Sequence, residues 1–422
     1  MNQGAFIMTF SDFQKQLVTQ TITACLPDTA VKRALADLPE VSGRKLFIAI
    51  GKAAWRMAKA AVDYPGVTFD QGLVITKYGH CEGELANVTL LEAGHPIPDH
   101  NTLQATQAAM DLVSSLTSED LVVVLLSGGG SALFEKPLVS FEELTQITNA
   151  LLAKGADIVE INTIRKRLSA VKGGRFAECC APAHVYNIIL SDIIGDPIDM
   201  IASGPTYPDA STCKEAQAIV EKYQLSLSDQ AQEALTHETP KQLDNVTTHL
   251  SGSVSELCTA AQAFLEENSF QVTLLTSSLA CEAREAGKFM GAIGKNYAES
   301  TRPLAFLIGG ETVVHVTGDG KGGRNQEIAL AAAEVIDGLG SVHVLSFGSD
   351  GTDGPTDAAG GYSDGQTLTR LKEKGLQIHE VLQRNDAYHA LKAIDQLIVT
   401  GPTGTNVNDL SLVLIIPKGT LL

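Results

Sequence analysis

The chain has 422 residues, more than the roughly 250–300 that one hydrophobic core serves, so two or more domains are expected. Apolar residues make up 44% and charged residues 19% of it, which excludes disorder; 38 glycines against 5% aromatics favour an α/β protein of many tight turns over a β-sandwich. The 31 basic and 49 acidic residues leave a formal charge of −18, a field that repels nucleic acid and anionic membranes and makes any cation in a glycine-rich loop informative.

Helical and strand patterns alternate along the chain. A first helix is expected from an N-cap at Ser11 to about Leu26, then a buried strand, KLFIAI at 45–50, which ends at Gly51 and leads into an alanine-rich helix at 53–62. Strands follow at 72–76 and 88–93, Asp99 caps a helix to about Leu116, and LVVVLL at 121–126 runs into SGGGSAL at 127–133. Helices near 141–153 and 157–171 precede a strand at 185–191. The polar, aperiodic stretch 237–252 reads as the domain boundary. Beyond it come a helix at 253–267, a strand at 271–276, a helix at 280–295, strands at 303–308 and 312–317, a helix at 325–336 and strands at 342–347 and 411–416. Continuous apolar strands separated by helices predict mainly parallel sheets covered on both faces. The expected architecture is therefore two Rossmann-like α/β domains, 1–240 and 241–422, with an active-site cleft between them.

Seven cysteines with no C-x-x-C spacing predict free thiols in a reducing compartment. No apolar run approaches the ~20 residues of a membrane span, and the N-terminus lacks the features of a signal peptide. The reading is a soluble cytoplasmic protein that binds neither nucleic acid nor membrane.

In open parallel sheets the ligand crevice lies outside the carboxyl ends of the strands, so residues just after each strand carry the functional argument. Ser127, Gly128, Gly129, Gly130 and Ser131 follow a buried strand, where consecutive glycine amides suit an anion-binding nest. No G-K-S or G-K-T occurs, which excludes a Walker A loop. Gly318, Gly320 and Gly323 match G-x-G-x-x-G, with Asp350 further on as a ribose-binding acid, so a dinucleotide reading stays open. Lys321 and Arg324 in that loop suit a compact, multiply charged group equally well.

Two acidic loops, with Asp192 and Asp196 in one and Asp350, Asp353 and Asp357 in the other, offer carboxylates for Mg²⁺ and for a hydroxyl proton. Lys52 ends the first strand, and His95 sits in a proline-bounded loop. Arg165, Lys166, Arg167, Lys172 and Arg175 form a basic cluster that is either a solvated helix face or an attractor of anions.

At these same loops the chain resembles the class II glycerate kinases, the glycerate 2-kinase family. The resemblance rests on GKAA at 51–54, GHPIPD at 94–99, SGGGSAL at 127–133, SDIIGDP at 191–197 with SGPTYPD at 203–209, GGET at 309–312, GGRNQE at 322–327, DGTDGPTDAAGG at 350–361 and TGPTGTNVNDL at 400–410. It runs in order over nearly the whole chain. Older labels in that family read hydroxypyruvate reductase, which makes an NAD(P)H-dependent reductase the alternative.

The resemblance implies phosphorylation of D-glycerate at its 2-hydroxyl by ATP with Mg²⁺, giving 2-phosphoglycerate and ADP, with Lys52 and Arg324 as key residues. On that basis the Gly128–Ser131 amides, with Ser127, Gly310 and Glu311, are expected to bind the nucleotide. Lys52 and Arg324 would neutralise the transferring phosphoryl group or the glycerate carboxylate. Asp192 is the first candidate for the hydroxyl proton and Asp353 the second, with Asp192 and Asp350 the candidate metal ligands. The oligomeric state, a homodimer included, stays open.

Overall fold

The computed structural model describes residues 9–191 and 198–420. Two six-stranded sheets organise them. The first holds β1 (Lys45–Ile50), β2 (Gln71–Lys77), β3 (Val88–Ala93), β4 (Leu121–Leu126), β5 (His184–Ile189) and β6 (Val246–Leu250). Every pairing is parallel, in the order β3-β2-β1-β4-β5-β6. This is the order of a doubly wound sheet whose direction of growth reverses between β1 and β4, the position where such sheets open a crevice. Both faces are covered: all six residues of β4 are buried, as a parallel sheet under helices requires. The register places Ile50, Ile75, Leu126 and Ile189 in one row, so the residues after them share one edge.

The second sheet holds β7 (Gln271–Leu279), β8 (Leu304–Gly310), β9 (Val342–Gly348), β10 (Gly360–Asp364), β11 (Leu397–Ile398) and β12 (Asp409–Ile415), in the order β11-β10-β9-β12-β8-β7. It is mixed. β7 and β8 are parallel, while β12 runs antiparallel between β8 and β9, and β10 antiparallel to β9. The loop from β9 to β10 is too short to hold a crossover helix, so the chain reverses direction there. Alternate residues face opposite layers: Leu307, Leu345, Phe347, Leu412 and Leu414 pack beneath the helices Phe10–Ala24 and Val254–Glu267. Phe306, Ile308, Val344, Val413 and Ile415 pack beneath Ala283–Tyr297 and Arg324–Val335.

The chain divides into two units. One holds the first helix with everything from Gly252 onward; the other holds Pro27–Ser191 with 198–251. This differs from a division at 240/241 at both ends. The first helix, N-capped by Thr9 rather than Ser11, buries Phe13 and Leu17 in the second unit's core. The polar stretch 237–252 contains β6, which pairs only with β5 at the rim of the first sheet, and a half-exposed rim strand does not need an apolar run. The segment 312–317 is not a strand: both edges of β8 are taken by β7 and β12, leaving Val313 a single bridge to Glu282. Val313 and Val316 are 56% and 75% exposed. Among the described residues no helix is long and apolar enough to cross a membrane.

His343 in β9 is partly buried and stacked on Phe10, ring centroids 4.1 Å apart, and its Nδ1 has no hydrogen-bond partner among the described residues. Burial pushes its imidazole down to about 4, against a smaller upward pull from Asp364. The unfolded chain, with an ordinary value of about 6.5, therefore binds a proton that the folded chain refuses between those pH values. This contribution to stability is present above pH ~6.5 and is lost as pH falls towards 4, amounting to about 2 kcal/mol at pH 5. Denaturant titrations at pH 7 and 5 are expected to show a smaller acid loss in His343→Leu than in the parent; an equal loss in both would overturn this.

Candidate active site

At the carboxyl edge of the first sheet, the loops after β1 and β4 are tied together. The Lys52 N–H donates to the Gly128 carbonyl (2.9 Å) and the Ala53 N–H to Ser127 Oγ (3.1 Å), while Ser127 Oγ donates to the Ile50 carbonyl (3.3 Å). Gly51, at φ +122°, makes this approach feasible, since a Cβ there would lie 2.3 Å from Ser127 Oγ. Ser127, expected among the nucleotide-binding groups, thus spends its hydroxyl on the protein. Ser131 Oγ is bonded to Ser203 Oγ (2.9 Å), which donates on to Asn162 (3.1 Å), so Ser131 has no hydroxyl proton left for a ligand.

The backbone is different. Among the described residues, the N–H groups of Gly128, Gly129, Gly130 and Ser131 donate to nothing. Gly129 is left-handed, at φ +86°, and a Cβ on it would stand 2.9 Å from His95 Nε2 and 3.1 Å from Lys52 Cγ. Gly129 therefore lies beside Lys52 and His95, whereas Gly130 is packed against Ala202 and Ile50. Lys52 is exposed and has no ion pair among the described residues. Lys77 ends β2, and His80 Nδ1 lies 3.2 Å from the Lys52 carbonyl. Burial and then the charges of Lys52, Lys77 and His80 push the His95 imidazole down, which shows that these groups share one field. Sequence reasoning found Lys52 and His95 but missed Lys77 and His80; a cation at a strand terminus before Gly79 was the available signal. This edge can hold a multiply charged anion.

The basic residues at 165–175 are neither a solvated face nor free attractors. Lys166 is buried on Asp199 (3.0 Å) and Asp209 (3.2 Å), and Arg167 on Glu238 (3.1 Å) and the Ser211 carbonyl (2.7 Å). Arg175 donates to the carbonyls of Arg167 (3.0 Å) and Ser169 (2.5 Å), which close the helix Ile158–Arg167. The partners of Lys166 and Arg167 lie 33 to 71 positions away in sequence.

In the second unit, β12 begins at Asp409, level with Gly310 at the end of β8 and Gly348 at the end of β9. Arg324, the first residue of the helix Arg324–Val335, forks onto Asp409 through Nε and Nη2 and reaches Glu311 through Nη1 (3.1 Å). Asp353, 2% exposed, accepts from the N–H groups of Gln326 (2.9 Å) and Asn325 (3.2 Å) and from Asn325 Nδ2 (3.3 Å). These bonds tie it to the start of that helix. Burial pushes its carboxyl up to about 6, against the opposing pull of those amides. Glu311, Thr312, Val313, Gly323, Arg324 and Asp353 line a cavity of 630 Å³.

The G-x-G-x-x-G match does not form a dinucleotide turn. No strand precedes it, and each glycine is required by contact with the protein itself. A Cβ on Gly318 would lie 2.4 Å from Arg384 Cα, on Gly320 2.5 Å from the Arg384 carbonyl, and on Gly323 2.3 Å from Asp353 Cγ. Asp350 accepts from the Thr352 N–H (2.9 Å) in a tight turn, and Asp357 from the Tyr388 hydroxyl (2.7 Å). Asp192 and Asp196 lie outside the described residues. Among those described, no group of three or more histidine, cysteine or acidic side chains could hold a metal. The backbone at Gly348 is tightly enclosed: a Cβ there would lie 3.1 Å from the Thr352 carbonyl and 3.2 Å from both Asp350 Oδ1 and Asp409 Oδ1.

Comparison with known proteins adds a family to this geometry. Residues 13–236 match the domain of unknown function DUF4147, and residues 304–409 match the MOFRL family. The chain is 51% identical over 407 residues to a D-glycerate 2-kinase of Thermotoga maritima, covering 95% of this chain and 97% of the relative. It is 36% identical over 433 residues to a putative hydroxypyruvate reductase of Agrobacterium vitis, covering 98% of each. A crystal structure of a glycerate kinase from Thermotoga maritima, 50% identical, superposes with a TM-score of 0.89 over 96% of this chain and 99% of the other.

Proposed function

The chain belongs to the glycerate 2-kinase family, and from that premise we propose that it transfers a phosphoryl group from ATP to the 2-hydroxyl of D-glycerate. The observation that carries the assignment of groups is the row of four amides, Gly128–Ser131, unbonded among the described residues, near Lys52, Lys77 and His95. In a chain of charge −18, Lys52 and Lys77 beside N–H groups that are unbonded among the described residues suit the binding of phosphate.

In this reading the amides hold the phosphate chain of ATP, and Lys52 offsets charge on the transferring group. Phosphoryl transfer asks little covalent chemistry of a protein, so positioning and charge neutralisation supply most of the rate. Arg324, fixed by Asp409 and Glu311, presents its remaining N–H groups to an anionic substrate group. Asp353 keeps the Arg324 helix start in place. Asp192 remains the first candidate to accept the hydroxyl proton.

Mg²⁺ usually binds through one or two carboxylates together with substrate phosphates. Asp192 and Asp350 are the carboxylates that would hold the ion, which would supply neutralisation of phosphate charge. Cytoplasmic residence accords with seven free cysteines. The reductase alternative loses its structural basis with the dinucleotide turn.

Incubation with D-glycerate, ATP and Mg²⁺, followed by separation of the phosphoglycerates, is expected to yield 2-phosphoglycerate and ADP. NADH absorbance with hydroxypyruvate is expected to stay flat. 3-Phosphoglycerate as the product would overturn the regiochemistry, and NADH oxidation without ADP release would overturn the reading.

A further inference from the structure

The amide row has a buried electrostatic support that the reaction scheme above does not use. Gly130–Leu133 is a single helical turn, and its amino end supplies two of the free N–H groups. At its other end, Lys172 Nζ donates to the carbonyls of Ser131 (3.0 Å) and Phe134 (2.8 Å), and Arg165 Nη2 donates to the same Ser131 carbonyl (2.9 Å). Lys172 is completely buried. Its charge is balanced by Glu135, also completely buried, 3.5 Å from Lys172 Nζ and 3.9 Å from Arg165 Nη2.

A surface turn does not need a desolvated ammonium beneath it. Burying one costs several kcal/mol unless it is paired, and hydrophobic residues would fill the same space. The cation instead grips the carbonyls that leave the turn and thereby fixes the direction of the amides that enter it.

We propose that Lys172 is the positioning residue of the Gly128–Ser131 nest, and that its ammonium, held by Glu135, sets the affinity of the nest for the phosphate groups of ATP. This rests on the reading of the nest as a phosphate site. Burial pushes the Lys172 ammonium down to about 8, opposed by Glu135 and assisted by Arg165, the two charged groups that face it; the turn itself contributes only carbonyls. The charge is therefore present at neutral pH and leaves as pH rises through about 8. Stability moves the other way. An unfolded lysine, near 10.4, holds its proton longer than the folded one, so this residue's contribution to stability grows over the interval in which activity falls.

The test is kcat/KM for ATP between about pH 6.5 and 10, with melting temperature recorded in parallel. The parent is expected to lose activity above pH ~8 while still folded. Glu135→Gln is expected to move that limb to lower pH, because the partner that favours the ammonium is gone. Lys172→Arg is expected to remove the limb, since a guanidinium does not titrate there. Lys172→Met, read at pH 7, is expected to raise the KM for ATP roughly tenfold with a smaller change in kcat.

A limb at the same pH in the parent, Glu135→Gln and Lys172→Arg would overturn the proposal. Gly129→Ala, whose Cβ would press on His95, separates it from the reading beneath. If that variant loses ATP binding while the pH profiles stay fixed, the nest stands and the role of Lys172 falls. If Gly129→Ala binds ATP normally, the nest reading falls first.

Discussion

Replacing Lys52 with alanine is expected to lower the kcat for glycerate phosphorylation at least ~10²-fold while leaving the melting temperature nearly unchanged. The two halves of this expectation have separate grounds. Lys52 follows β1 at the point where the first sheet reverses its direction of growth, and its stem flanks Gly129 beside the free amides. A cation in that place acts on charge that spreads over the phosphoryl oxygens during transfer, so its loss falls on the transition state. The side chain is exposed and makes no ion pair among the described residues, so truncating it breaks nothing that folding needs. Lys52→Arg is expected to recover part of the loss, since charge returns without the compact shape of an ammonium. Near-normal turnover in a folded Lys52→Ala protein would remove Lys52 from the chemistry.

Arg324→Ala is expected to cost more, because it strikes both activity and the fold. The guanidinium is forked onto Asp409, which is only 5% exposed, and Glu311 and Asp353 are close by. Removing it leaves the buried Asp409 carboxylate without its cation, and because Arg324 itself is 31% exposed the cost is expected to fall below the roughly 3–5 kcal/mol of a fully buried pair. Activity is expected to fall roughly 10²–10³-fold at saturating substrate. The double variant Arg324→Ala/Asp409→Asn separates the two effects: it no longer buries a lone charge, so most of the stability is expected to return while the activity does not. Recovery of turnover together with stability would reduce Arg324 to a structural residue.

Much of this site was legible because its parts sit directly after buried strands. Apolar runs at 45–50 and 121–126, each ending in glycine or serine-glycine, located β1, β4 and the edge they share. The helical pattern at 325–336 and the continuous apolar runs at 303–308, 342–347 and 411–416 likewise reported burial that each segment undergoes on its own. Where a segment is only half covered, that signal fades. β6 looked like a polar linker because it forms the rim of a sheet, and 312–317 looked like a strand although no sheet edge was left for it.

Composition and local pattern determined the α/β class, the loops that carry function, and the two cations at strand and helix ends. Only the tertiary structure decided which charged and polar groups remain available to a ligand. Ser127 bonds the Ala53 amide and the Ile50 carbonyl, and Asp353 accepts from the amides of Asn325 and Gln326. Lys166, Arg167 and Lys172 looked like a surface and are buried on their partners. Lys77 and His80 went unnoticed and join the rim. The reason lies in the separation of partners: Asp353 meets Gln326 across 27 positions, Lys172 meets Phe134 across 38, and Arg324 meets Asp409 across 85. Neutralisation of a charge depends on distance in space, and no local pattern encodes that until the sheets bring distant segments together.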